Sequence, residues 1–169
     1  APAGLVWGAI YWAAGEPVAA VVPFSCVPLV VANVGVFRIT RSFALLRVSH
    51  FVMTLLLQFI LMVGLCVFLN SSAVVFWSLV CPMGALVLAS RREALVWLAA
   101  FFVVVAVGGV LEPFAPESNK LSQTLINVFF VGNIMGPSLV AVGILLYFIA
   151  QLQQERAKSE RLLLNVLPA

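Results

Sequence analysis

Residues 125–169 read LINVFFVGNIMGPSLVAVGILLYFIAQLQQERAKSERLLLNVLPA. Through Ala150 the stretch is almost wholly apolar, and from Gln151 onward every third or fourth residue is charged. No helix breaker separates the two halves. Gln, Glu, Arg, Lys, Ala and Leu, which dominate residues 151–164, are all good helix formers, so one helix is expected to run from about 125 to 167. At 1.5 Å per residue it would measure roughly 65 Å, against about 30 Å for the hydrocarbon core of a bilayer. Pro168 restricts Leu167 and ends or bends the helix there.

The rest of the chain follows the apolar half of this stretch. Of its 169 residues 64% are hydrophobic and 9% charged, where a soluble domain carries about 25% charged residues. The expected fold class is an all-α, polytopic membrane protein: a six-helix transmembrane bundle whose last helix extends into the cytoplasm. The spans fall at about 4–14, 18–37, 48–69, 73–89, 94–111 and 125–150. The first is shorter than the roughly 20 residues a crossing needs. It is either the remnant of a truncated helix or an interfacial segment, its Trp7, Tyr11 and Trp12 suiting a membrane interface. Gly15-Glu16-Pro17 and Asn70-Ser71-Ser72 read as turns. Pro23 and Pro28 are expected to kink the second span. Ala1-Pro2, with no Met or basic leader, and Ala169 after Pro168 read as the ends of an excised module.

Of the nine basic residues, Arg38, Arg41, Arg47, Arg91, Arg92, Arg156, Lys158 and Arg161 share one side under this layout, and Lys120 lies opposite. Basic residues in short loops are retained in the cytoplasm, which orients the chain as a multi-pass inner-membrane protein with residues 151–169 inside. Those residues form a second unit, a cytoplasmic signalling helix. The net charge of +3 is spread over connections and forms no basic stripe, so nucleic acid is excluded as a partner. Cys26, Cys66 and Cys81 sit inside apolar runs without metal-type spacing and read as buried thiols.

Polar residues inside spans are costly and mark candidate sites. The sixth span holds Asn127, Gly132, Asn133 and Gly136, a small and polar set suited either to helix packing or to a ligand or dimer contact. Thr54 and Gln58 share a face of the third span, Asn33 lies in the second, and all three read as bonds between helices. Gly108-Gly109 reads as close packing. His50 is either a plain interfacial side chain or a pH-sensitive one. Glu16, Glu112 and Glu117 fall on the external side and form either a cation or basic-ligand site or three solvated acids. A heptad through Ile149, Leu152, Arg156, Ser159, Leu163 and Val166 has apolar ends and a polar middle: a weak coiled coil able to shift register, or a solvated spacer.

Residues 155–169, ERAKSERLLLNVLPA, resemble the junction segment of membrane-bound bacterial class III adenylate cyclases. Ser159, Glu160, Leu162, Leu163, Asn165, Val166, Leu167 and Pro168 match its pattern. The six-span layout with short loops is similar to the membrane domain of that family. The resemblance implies a homodimer embedded in the lipid bilayer, with Leu152, Arg156, Ser159, Leu163, Asn165, Val166 and Pro168 on a helix leading to a catalytic domain. That domain would convert ATP to a cyclic nucleotide and pyrophosphate with Mg²⁺ or Mn²⁺. Two-metal chemistry of this kind needs paired carboxylates, and no Asp occurs here. These residues are therefore expected to hold no catalytic group, cofactor or metal of their own. An unidentified external or membrane ligand is a further expected partner. The rival readings are a small transporter or channel, and the membrane sensor of another signalling enzyme.

Overall fold

The computed structural model describes residues 2–115 and 120–166, with the side chains at 2, 3, 67, 69, 161 and 163–166 left undescribed. Every regular element among the described residues is helical: α1 (Pro2–Ala13), α2 (Pro17–Thr40), α3 (Phe43–Gly64), the single turn α4 (Val67–Asn70), a 3-10 segment (Val74–Leu79) running into α5 (Val80–Leu88), α6 (Arg91–Leu111), a second 3-10 turn (Glu112–Phe114) and α7 (Gln123–Val166). Four of the helical stretches are long and apolar enough to cross a membrane: Pro17–Thr40, Phe43–Gly64, Arg91–Phe114 and Gln123–Glu160. Gly4–Ala13 and Val74–Leu88 are apolar but shorter. The helices expose large apolar side chains such as Val18, Ile39, Phe102, Val110 and Leu139, a surface suited to lipid contact.

Local chemistry explains the breaks. Gly15 adopts φ 84°, within the region glycine enters at low cost, and Pro17 opens α2 at a position where its missing N–H costs nothing. Helices α1 and α2 pack backbone to backbone. A Cβ at Gly4 would stand 2.8 Å from the Pro23 carbonyl oxygen, and one at Gly8 2.6 Å from the Phe24 ring. α2 stays one helix through Pro23 and Pro28.

Three expected boundaries move by several residues. The end of the third helix falls at Gly64 and not near 69, because the chain turns left-handed at Cys66 (φ 65°). The third helix starts at Phe43 instead of near 48, because the Ser42 hydroxyl caps it by accepting from the Leu45 N–H at 3.3 Å. Arg47 fits inside this helix because its charge is met: its guanidinium donates to both Glu93 carboxylate oxygens at 2.8 and 2.9 Å and to the Leu88 carbonyl at 2.9 Å. The fourth stretch is not one α-helix over 73–89. Ser72 and Ala73 take left-handed conformations (φ 55° and 59°), and the chain re-enters through the 3-10 segment before α5. The Asn70-Ser71-Ser72 turn is an interior one, with Ser71 and Ser72 buried.

The Arg47–Glu93 fork joins the start of α3 to the end of α5 and the start of α6. Arg47 is largely enclosed while Glu93 is partly exposed, so solvent weakens the pair without erasing it. Glu93→Ala is expected to destabilise the chain by about 1–2 kcal/mol, with a smaller effect in high salt. Thermal unfolding in detergent micelles reads this, and an unchanged midpoint would contradict it.

The main apolar core lies where the α1–α2 turn, the end of α3, the 3-10 segment and the start of α7 meet. Tyr11, Ala20, Met62, Leu65, Val74 and Phe129 are buried there. A smaller cluster of Phe51, Leu55, Cys81 and Ala85 joins α3 to α5. α7 is gripped only over its first half, and every residue described from Leu145 to Glu160 is exposed.

Candidate functional site

The buried crossing of α7 with the 3-10 segment and α1 is the most constrained polar feature. Asn133 is fully buried. Its amide nitrogen donates to the Ser72 carbonyl at 2.9 Å, and its amide oxygen accepts from the Trp77 indole N–H at 3.0 Å. Ser72 belongs to the turn made with left-handed Ala73, and Trp77 to the 3-10 segment that follows it. The carbonyl of that buried turn needs a donor and the Trp77 indole N–H an acceptor, and the Asn133 amide of α7 supplies both.

Small residues let the indoles in. A Cβ on Gly136 would stand 2.5 Å from the Trp77 ring, whereas one on Gly132 would meet Trp7 at an ordinary 3.7 Å. Trp7 and Tyr11 stack against Phe129 with centroids 5.3 and 5.0 Å apart. These two aromatics therefore pack inward. Only Trp12 of the expected interfacial set is well exposed, at 63%. The correction follows from Gly4 and Gly8, which bring α1 close against α2.

Of the four residues singled out on α7, Gly132, Asn133 and Gly136 converge on this crossing, and Asn127 does not. Asn127 is exposed and accepts from the Gln123 side chain at 3.1 Å. Six residues before Asn133, it lies about 120° around the helix.

The polar surroundings of Asn133 are only partly paired. The hydroxyls of Tyr11, Ser71, Ser72 and Ser78 are buried without a hydrogen-bond partner. Asn33 acts as expected between helices, donating to the Leu46 carbonyl at 3.2 Å and accepting from Ser49 at 2.6 Å. Thr54 turns back to the His50 carbonyl at 2.9 Å. Gly108 packs against Met62 and Phe68, as its spacing in the sequence suggests.

The acids are tied to connections. Glu16 accepts from the Lys120 backbone N–H at 2.6 Å and Glu112 from that of Phe68 at 2.8 Å. Glu16 thus holds the connection leading into α7 and Glu112 the helical turn α4, and Glu117 lies outside the described residues. Among the described residues no group of three or more His, Cys, Asp or Glu side chains is placed to hold a metal. The three cysteines are free.

On the extension, Leu152, Arg156 and Ser159 are exposed, and Lys158 pairs with Glu155 at 2.7 Å. The backbone is helical through Leu163, Asn165 and Val166, and Pro168 lies outside the described residues. Trp77, Gly4 and Gly8 take part here without having stood out in the sequence, and Trp7 does so from inside the bundle and not from an interface. The spacing of Gly4 and Gly8 is a small-xxx-small signal for close helix approach, and it was readable. Comparison with family models, with curated proteins and with solved structures returns no match.

Proposed function

We propose that this chain is the membrane anchor and regulatory domain of a class III adenylate cyclase. One observation carries the reading: α7 is a single helix of 44 residues, seated by Asn133 near one end and free of the bundle over the half that ends in the cyclase-like junction sequence. In this reading the chain crosses the inner membrane six times, with α1 and the Val74–Leu88 stretch as its two shorter crossings. The Glu16 and Glu112 end faces outward, and the free half of α7 stands in the cytoplasm. Two copies pair, and their extensions set how two catalytic domains meet.

An active site built between two catalytic domains needs its halves held close and in phase. A shift in packing around Trp77 and Asn133 would move α7 as a body, and the displacement would reach the junction. A ligand changes output only if it binds the two arrangements with different affinity.

The test joins residues 1–169 to a single-domain class III catalytic unit and compares it with that unit alone at equal concentration in membranes. The joined protein is expected to make cyclic AMP at least about tenfold faster at low concentration, as a raised effective concentration dictates. Equal rates would overturn the reading. Ion or solute flux through liposomes holding residues 1–169 would replace it with a transporter or channel.

A further inference from the structure

One face of α7 belongs to its own bundle: Phe129, Asn133 and Pro137 are buried, and Val140 and Ile144 are half-buried. The opposite face is bare. Val142, nine residues past Asn133, stands about 180° round the helix from it, and Val131, Met135, Val142 and Leu145 each leave about half of their surface exposed. These positions share a register with the extension. Read backward in steps of seven, the heptad of Ile149 and Leu152 lands on Val142, Met135 and Val128 in one row and on Leu145, Ser138 and Val131 in the other. All six are exposed. Ser138, the polar member, is small and donates its hydroxyl to the Ile134 carbonyl of its own helix at 2.7 Å.

We propose that this seam is where two copies of the chain pair, α7 against α7 and in parallel, from Val128 within the apolar stretch out to the extension. Lipid covers any apolar surface and has no use for a seven-residue period, whereas two helices wound about each other require one. Lipid also falls short of it. The apolar seam positions from Val128 to Leu152 rise about 36 Å along the helix, beyond the roughly 30 Å of hydrocarbon. Two copies inserted the same way stand parallel, which brings Arg156 beside its twin. Glu155 and Glu160 flank that position in the adjoining rows, where carboxylates from the second copy offset the two guanidinium charges.

The pairing face stands on this geometry alone. Its consequence for output rests on the cyclase-anchor reading: a seam that begins inside the membrane and runs on through Gln151 would set the phase of the two extensions before they leave the bundle.

The test uses the full chain, dilute in phosphatidylcholine vesicles. Cysteine is placed singly on the seam (Ser138→Cys, Val142→Cys, Leu145→Cys, Leu152→Cys) and off it (Gly143→Cys, Tyr147→Cys), always at exposed positions that the fold does not need. The parent, whose three cysteines lie on other elements, is the blank. Oxidation with copper phenanthroline, with disulfides mapped by mass spectrometry, is expected to join each seam cysteine to its counterpart at least about tenfold faster than either off-seam one, as the effective concentration of a held pair dictates. Energy transfer between differently labelled copies, read as lipid is added, measures pairing itself. Val142→Trp overfills the seam and should weaken pairing at least about tenfold, while Tyr147→Trp should leave it unchanged. A chain that stays monomeric, equal or faster joining at Gly143→Cys or Tyr147→Cys, or Val142→Trp copies that pair as the parent does would each overturn the proposal. Pairing is read without any cyclase attached. A seam that pairs while a joined catalytic unit works no faster than the free one would refute the cyclase-anchor reading and leave the pairing face standing.

Discussion

Asn133→Leu is expected to lower the unfolding free energy by about 2–3 kcal/mol. Leucine shares asparagine's branching at the γ carbon but is the bulkier side chain, so the loss combines two broken hydrogen bonds with crowding of a closed site. The Trp77 N–H and the Ser72 carbonyl would both be left buried without the partners they have at 3.0 and 2.9 Å. Hydrogen bonds between membrane helices average well under 1 kcal/mol, because the separated helices find other partners. Two features raise this case above that average. Asn133 and Ser72 are almost wholly enclosed, and Gly136 leaves the Trp77 ring the room it needs to reach the Asn133 oxygen. Titration with a denaturing detergent from mixed micelles measures the loss. Trp77→Phe in the Asn133→Leu background should cost less than Trp77→Phe alone, since the shared bond is then already gone. A loss below about 0.5 kcal/mol for Asn133→Leu, the ordinary surface range, would contradict the assigned role.

The second large effect concerns phase. Two alanines inserted after Gln151 would rotate everything beyond them by about 200°, while seven would add close to two full turns. Under the proposed function, a joined cyclase should lose at least about tenfold in cyclic AMP production with two inserted residues and regain most of it with seven, as paired helices with a heptad seam require. Exposure of every described residue from Leu145 to Glu160 makes the insertion harmless to the bundle, so lost output would report phase and not unfolding. Equal rates across the series would reduce the extension to a tether.

Much of this architecture is written in local chemistry. Gly15 and Pro17 mark the first turn, and the absence of any proline between Ser138 and Leu167 announces a helix that runs on past the apolar stretch. Arg47 was harder to place, because a guanidinium inside an apolar run reads as a loop until its carboxylate is found. Glu93 lies 46 residues away in sequence. Asn133 stood out as polar among apolar neighbours, but Trp77 and Ser72 did not. They matter only because two residues without glycine's freedom, Ser72 and Ala73, turn left-handed, a choice made by packing and not by propensity. Glu16 and Glu112 looked like a charged cluster on paper, since a side chain's use as a loop clasp depends on which backbone amides the fold delivers to it.

Pro137 lies four residues past Asn133 inside α7, and its ring removes the N–H that would have tied back to the Asn133 carbonyl. Stiffness along the rod is thus uneven: packed around that position, it loosens over the turns to Ile144 and stands free from Leu145 onward. About 43 Å of helix separate Pro137 from Val166, so a bend of only about 5° there swings the far tip sideways by roughly 4 Å. Under the proposed function, this arrangement would work as a lever with its fulcrum buried, turning a sub-ångström adjustment among indoles into a stroke of atomic dimensions.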